Sequence, residues 1–276
     1  NPTPANREYY LKQGPLYTDQ LTVNSFKVYA DGALGSRGAC LVTPYADRPQ
    51  ETGFLLSTEK EFRALAKELA ASKFQMNTHA IGDSANRIIL NIYGEALRGQ
   101  RNRRWRIEHA QVVTPADMPK FGQFGIVPSV QPTHATSDMY WAGERLGKER
   151  VKTAYAYQEL LKQYGQLALG SDFPVEDLNP LFGFHSAVAR QDAKNYPTGG
   201  FQTENAISRE AALRGMTTWA AHAGFEEKRK GQIKPGLLAD FVVLNTDLLT
   251  APAEQLRTLL VQQTWIGGKQ VFSVKK

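Results

Sequence analysis

The sequence lacks the features that would place it in several classes. It holds one cysteine, Cys40, so no internal disulfide can form, which excludes a disulfide scaffold and a Cys-rich zinc module. A lone cysteine suits a reducing compartment without requiring one, and the sequence admits cytoplasm or periplasm. No apolar run reaches the roughly 18 residues of a membrane span, and no membrane partner is expected. The absence of low-complexity tracts and short repeats excludes collagen, disorder and short-repeat solenoids. The first residue is Asn1 rather than Met.

What is present is ordinary globular composition: 276 residues, 42% hydrophobic and 22% charged, enough for a sizeable core. At roughly 150 residues per domain, one large domain or two small ones fit. The net charge of +6 permits contact with nucleic acid. Its densest run is Arg98, Arg101, Arg103, Arg104 and Arg106. A nucleic-acid face usually adds a recognisable module. None is recognised, so the run reads as a solvated loop and nucleic acid is not an expected partner.

Strands and helices alternate after a polar N-terminal stretch, to about Gln20, that reads as a loop. Strands are expected at Phe26–Tyr29, Phe74–Thr78, Trp105–Ile107, Ile126–Val130 and Leu167–Leu169. Between and after them, helices are expected at Phe62–Ala71 behind a Thr58–Glu61 capping box, after a capping Asp83, at Pro115–Phe121, Val151–Tyr164, Leu181–Arg190 and Ser208–Ala221. The tail changes character. Asp240–Leu244, Leu260–Ile266 and Gln270–Val274 read as strands, the last two around a Gly267-Gly268 turn, and Ala253–Leu259 as a helix. Alternation implies a parallel sheet with helical crossovers. About five such units are counted, whereas a full eight-unit barrel alone needs roughly 250 residues.

Polar residues gather just past the expected strand ends: Lys27 with Asp31, Asn77-Thr78-His79, Glu108-His109, Gln131-Pro132-Thr133-His134 and Ser171-Asp172. In a parallel sheet the C-terminal strand ends share one edge, so residues far apart in sequence point to one rim. Two imidazoles and a carboxylate there suit a divalent transition metal. Spacing alone names neither metal nor reaction. Other candidates read as structural. Gly32, Gly35 and Gly38 lack Walker spacing and make a turn; Asp31 holds that turn or reaches the pocket; His185 and His222 pack or cap; Glu108 orients His109 or points away; Tyr140 and Trp141 line a pocket or pack a loop.

Several segments carry a resemblance in family order: Phe26 to Arg37 (FKVYADGALGSR), Asn77 to Asp83 (NTHAIGD), Arg106 to Gln111 (RIEHAQ), Ser129 to His134 (SVQPTH), Gly170 to Val175 (GSDFPV) and Gly231 to Leu244 (GQIKPGLLADFVVL). They resemble the carboxyl-terminal part of the amidohydrolase superfamily, in its YtcJ-like metal-dependent hydrolase branch. The resemblance implies an α/β fold, a partial TIM-like (β/α) barrel of about the last five units over residues 1–225, with 226–276 supplying C-terminal strands of a small β-sandwich domain. It implies hydrolysis of non-peptide carbon–nitrogen bonds, in amides or formamides of small molecules, with a divalent metal, zinc first. His79 and His109 match metal-binding histidines. Asp172 matches a metal ligand that also shuttles protons, and His134 a group on the substrate side. Lys27 matches a lysine that, once carboxylated, bridges two metals.

One departure matters. The family opens its barrel with a His-x-His pair. The five histidines here, His79, His109, His134, His185 and His222, include no such pair. The expectation is a piece of a longer hydrolase, inactive alone, with open sheet edges that self-associate or pair with a missing N-terminal part. The alternatives are a noncatalytic or regulatory protein of the same fold and, from another class, a nucleic-acid-binding protein.

Overall fold

The computed structural model describes residues 1–274; the last two residues of the 226–276 segment lie outside the described residues. The chain divides into two compact units, one of Asn1–Ser129 with Trp141–Gly165 and one of Val130–Tyr140 with Gln166–Lys276.

The first unit opens on a helix, α1 (Pro4–Gln13), where a loop was expected. The signals for it are present: Thr3 accepts the Asn6 N–H at 3.2 Å, Pro4 sits in the first turn and Gly14 takes φ 82° at the end. Tyr10 anchors it against Phe26 and Phe74, with ring centroids 6.5 and 6.4 Å away. A two-rung antiparallel ladder, β1 (Leu16–Tyr17) with β2 (Thr22–Val23), follows.

The sheet that positions the candidate site comes next. β3 (Ser25–Tyr29), β4 (Gln75–Ala80), β5 (Arg106–His109) and β6 (Val127–Val130) pair in parallel, each with its sequence neighbour. Lys27, Asn77, Arg106 and Val127 lie in one row; Tyr29, His79, Glu108 and Ser129 lie in the next. Because side chains alternate between faces, Phe26, Val28, Met76, Thr78 and Ile107 turn to one side and are buried. Helix α3 (Asp83–Leu97) covers that side: Tyr93 Oη lies 2.6 Å from Thr78 Oγ1 and donates to the Met76 carbonyl at 2.9 Å. The opposite face is polar.

Helix α2 (Glu59–Ala70) begins behind the expected capping box, with the Glu61 N–H on Thr58 Oγ1 and the Thr58 N–H on Glu61 Oε2 at 2.8 Å. Asp83 does not cap α3. Gly82 is the N-cap, and Asp83, one residue later, accepts the Val42 N–H at 2.8 Å. The expected helix at Pro115–Phe121 lies later, as α4 (Pro119–Phe124), ended by Gly125 at φ 70°. The expected helix at 151–164 divides into a 3-10 turn, Val151–Thr153, and α7 (Tyr157–Tyr164), parted by Tyr155 at φ 55°.

Three of the five arginines of the basic run are engaged by the fold. Arg103 ends a 3-10 turn, Arg101–Arg103, ahead of β5, and its guanidinium donates to the carbonyls of Leu69, Ala70, Ser72 and Phe74 at 2.8 to 3.1 Å. These close the C-terminus of α2, whose last carbonyls have no partner within the helix. Arg101 donates to the Gly122 carbonyl at 2.6 Å and Arg106 to Glu108 at 2.9 Å.

The second unit takes over at Val130. Helix α5 (Pro132–Asp138) follows, and α6 (Ala142–Arg150) belongs to the first unit. β7 (Ala168–Leu169) follows β6 in the sheet order, and the Gly170 N–H donates to the Val130 carbonyl at 3.0 Å. The result is a five-stranded sheet, β3-β4-β5-β6-β7, with no closed barrel among the described residues. Helix α8 (Pro180–Ala189) is capped by Asn179. The helix expected over 208–221 is two, α9 (Arg209–Met216) and α10 (Thr218–Ala223). Thr217 Oγ1 bonds back to the Leu213 carbonyl at 2.7 Å while its own φ and ψ leave the helix. The tail strands are β8 (Phe241–Leu244), β9 (Val261–Ile266) and β10 (Lys269–Ser273), antiparallel in the order β10-β9-β8, with both turn glycines at positive φ. Ala253–Thr258 is a 3-10 helix.

His185 on α8 is fully buried and donates from Nε2 to Asn195 Oδ1 at 3.2 Å. Burial and the Arg257 charge push its pKa down, against Asn195 and Asp192, which raise it.

Two expected outcomes follow from these contacts. Arg103→Ala takes a donor from four carbonyls, of which Leu69 and Phe74 keep another from Ser72 and Trp105, and lowers stability by about 1–3 kcal/mol, whereas Arg98→Lys, on an exposed side chain, stays within about 0.5 kcal/mol; urea unfolding separates them, and equal effects would contradict the brace. For His185, the unfolded imidazole binds a proton near its ordinary pKa while the folded one resists it. Stability therefore falls as pH drops below about 6.5 towards the lower folded value, by at most about 1.4 kcal/mol per pH unit. In melts at pH 7.5, 6.5 and 5.5, His185→Gln flattens that slope; an unchanged slope removes His185 as its source.

Candidate active site

In the first unit the site is built on the ends of β4 and β5. His79 is the fifth residue of β4 and belongs to the polar face; its imidazole is largely covered, with 13% of the side chain exposed. His109 ends β5 and pairs in register with Ala80, not His79. By strand alternation it belongs to the opposite face. Its backbone changes that: His109 takes φ 75° and Ala110 φ 43°. These positive values, unfavourable for side-chain-bearing residues, swing the ring back. The two imidazole centroids are 4.5 Å apart, with planes at 73°.

The strand ends are pinned so that this geometry holds. The Ala30 N–H donates to the His79 carbonyl at 2.8 Å. Asp31, 1% exposed, accepts the Ile81 N–H at 3.0 Å on Oδ1 and the Gly82 and Cys40 N–H groups at 2.8 Å on Oδ2. Its Oδ1 also lies 3.5 Å from His79 Nε2. Burial pushes the Asp31 carboxyl up to about 7 against the lowering effect of those amides. Asn86, from the first turn of α3, donates its carboxamide to the carbonyls of Ala80, Ile81, Gly82 and Val112 at 3.0 to 3.3 Å. It ties the end of β4 to the segment after β5. Gly82 is required here, since a Cβ on it would stand 2.0 Å from the Cys40 carbonyl oxygen. Past His109, Gln111 donates to Tyr155 Oη at 2.9 Å and the Val112 N–H to the Ile81 carbonyl at 2.9 Å.

The other sequence candidates of this unit divide. Lys27 sits one row below His79 on the same face, its Nζ 5.0 Å from the Tyr29 ring centroid. Glu108 shares the row and face of His79 and is bound to Arg106 at 2.9 Å. Burial raises its pKa, but Arg106, Ser129 and Lys27 outweigh that and hold it low. Trp141 packs: its ring would stand 3.2 Å from a Cβ at Gly35. Beside it Asp47 pairs with Arg37 at 2.6 Å and Arg145 at 2.5 Å, fastening the loop after β3 to α6.

In the second unit His134 is in the first turn of α5, 9% exposed, its Nε2 3.9 Å from Asp172 Oδ2. Asp172 follows β7 at φ 60°, another non-glycine residue in the left-handed region, and its side chain is 36% exposed. Burial depresses the His134 pKa, with Glu176 and Asp172 acting the other way. Glu176 is held by the Ser137 hydroxyl at 2.6 Å. Tyr140 stacks on Tyr196 at 5.9 Å and donates its hydroxyl to Asp192.

The donor chemistry of His79 and His109 fits a divalent ion, because two adjacent imidazoles supply neutral nitrogen. Among the described residues no group of three or more His, Cys, Asp or Glu stands ready to hold one. Sequence reasoning missed Asn86, although it occupies the buried stripe with Ile89, Leu90 and Tyr93, where a carboxamide needs a reason. It also left Asp31 between two roles.

The comparisons agree with this architecture. The family profile described as the amidohydrolase family matches residues 5–272. The chain is 38% identical over 265 residues to Protein LONG AFTER FAR-RED 3 of Arabidopsis thaliana, covering 95% of this chain and 45% of that one. It is 33% identical over 248 residues to the putative amidohydrolase YtcJ of Bacillus subtilis (strain 168), covering 90% and 47%. An uncharacterized metal-dependent hydrolase from Pyrococcus horikoshii OT3, whose crystal structure is known, superposes with a TM-score of 0.78 at 29% identity, over 87% of this chain and 48% of that one. The chain thus spans about half the length of the curated relatives it matches. With the family profile matching nearly its whole length, the chain belongs to the amidohydrolase family, in the company of YtcJ.

Proposed function

We propose that the chain carries part of the active site of a metal-dependent hydrolase that cleaves non-peptide carbon–nitrogen bonds in small amides or formamides. The observation that carries this reading is the His79–His109 pair, brought to 4.5 Å by backbone that leaves the ordinary strand conformation at His109 and Ala110. Strain of about 1–3 kcal/mol per residue concentrates where function requires it. The likeness to the uncharacterized metal-dependent hydrolase from P. horikoshii supports the same reading. On it, residues 1–225 form the catalytic α/β part, five units of a barrel, and 226–276 belong to a flanking β-sandwich.

His79, His109 and Asp172 would hold the metal, zinc in this proposal, with Lys27 as a bridging ligand once carboxylated. A bound ion would supply Lewis-acid polarisation of the scissile carbonyl and acidify water. The remaining work falls to the side chains. Asp172 takes a proton from the attacking water and returns it to the leaving nitrogen. His134, kept neutral by its burial, donates a hydrogen bond to the substrate oxygen. A second reading, a noncatalytic member of the family, has one observation behind it: no three-donor group forms among the described residues.

The sheet ends at β3 on one side. Beside it lies a groove of about 570 Å³ lined by residues such as Val28, Tyr29, Phe62 and Leu65. An unpaired strand beside an apolar groove recruits further chain. The reading therefore includes self-association, or pairing with the rest of a protein of the relatives' length.

The tests are direct. In a protein of the relatives' length containing this chain, His79→Asn, His109→Asn and Asp172→Asn each lower kcat/KM for a panel of N-acyl and N-formyl amines by about 100-fold or more and reduce the metal measured by elemental analysis. Near-normal turnover in the two histidine variants would sink the hydrolase reading. Sedimentation of the 276-residue chain is expected to show association that grows with concentration; a monomer at every concentration would sink the open-edge proposal.

A further inference from the structure

We propose that Asp31 is a positioning residue for His79: its amide-locked carboxylate holds the imidazole by the Nε2 edge, so that Nδ1 carries the lone pair offered to an ion. The proposal rests on the metal-site reading above and adds to it a residue and an atom.

The geometry is specific. A carboxylate has about four acceptor positions, two on each oxygen. Oδ2 of Asp31 accepts the Gly82 and Cys40 amides and Oδ1 the Ile81 amide, and the residue's own N–H also acts on the carboxylate. Oδ1 is the oxygen that lies 3.5 Å from His79 Nε2. That is ion-pair distance, beyond the 2.7–3.2 Å typical of a hydrogen bond. The carboxylate itself is held in place. Its amide partners come from two segments, residues 81–82 and residue 40, so moving it breaks contacts on both sides.

Consecutive residues of one loop thus grip His79 at both ends. Ala30 holds its carbonyl at 2.8 Å and Asp31 faces its ring. A ligating histidine must be neutral, with one nitrogen protonated and the other bearing the lone pair. A negative oxygen beside Nε2 places the proton there and leaves the lone pair on Nδ1. A carboxylate behind a ligating imidazole commonly does this, and its loss typically lowers metal affinity 10–100-fold. A purely structural Asp31, serving only the loop after β3, would have no influence on which ring nitrogen is protonated.

The decisive measurement is therefore the tautomer, read by long-range ¹H–¹⁵N correlation on the metal-free 276-residue chain labelled at histidine, at pH 8.5. His79 is expected as the Nε2–H form, and Asp31→Asn is expected to shift it towards a mixture of tautomers. An Nδ1–H form in the unmodified chain overturns the proposal, and that result needs no variant to fold. So does an unchanged tautomer in Asp31→Asn with circular dichroism intact. Titration with Cd²⁺ provides the second arm: a shift at Nδ1 is expected, with affinity 10–100-fold weaker in the variant, and a shift at Nε2 overturns the proposal. If Cd²⁺ moves neither nitrogen, the metal reading of the site falls, while the tautomer comparison decides the role of Asp31 by itself.

Discussion

A parallel strand that stops leaves its next amides without a ladder partner, and at the end of β4 one buried carboxylate meets that need. Asp31 takes the amides of Ile81 and Gly82, the first residues beyond β4, together with that of Cys40 from its own loop. Burying an ionisable group is unfavourable unless hydrogen bonds compensate. Three backbone donors are therefore the condition on which Asp31 can sit there. Their positions fix the end of β4, and so the place where His79 stands. The Asn86 carboxamide performs the complementary task, taking the carbonyls of the same turn and one beyond β5. Donors and acceptors of one turn are satisfied from opposite sides, and what lies between them has little freedom to shift.

That rigidity explains how an unfavourable backbone persists at His109. A side-chain-bearing residue at φ 75° followed by another at φ 43° would relax into ordinary strand or turn geometry if the chain on either side allowed it. It does not. β5 is held in register with β4 up to His109, and beyond it Gln111 and Val112 are fastened to Tyr155 and Ile81. The ring is aimed by its surroundings rather than by its own preference, which makes it a group whose direction matters. Asp172, in the second unit, also takes a positive φ, 60°.

What the sequence revealed follows from the range of the forces involved. The five strands and the antiparallel tail were legible because apolar alternation and turn glycines are local signals. The capping box at Thr58 was legible for the same reason. The N-terminal helix was misread although Thr3, Pro4 and Gly14 announced it, since it buries almost nothing and so carries no hydrophobic period. Asp83 resembled a cap by type, but the N-cap position went to Gly82, where only a glycine clears the Cys40 carbonyl. The candidate histidines were visible at strand ends. That His109 would turn across to His79 was not, because it depends on φ values set by contacts with Tyr155 and Ile81, far along the chain. Arg103 shows the same limit: within a run of arginines nothing local marks the one whose guanidinium closes the end of α2.

The two units differ in what their candidate groups are given. In the first, His79 and His109 sit among backbone bonds that leave the rings little choice of direction, as suits donors to an ion, whose distances must hold within a few tenths of an ångström. In the second, His134 is buried while Asp172 beside it is more than a third exposed. Such a pair suits proton movement. The buried imidazole stays uncharged and keeps its donor and acceptor, and the exposed carboxylate can meet water and be loaded and unloaded by it. Rigidity is thus greatest around the two imidazoles of the first unit, and solvent reaches the carboxylate of the second.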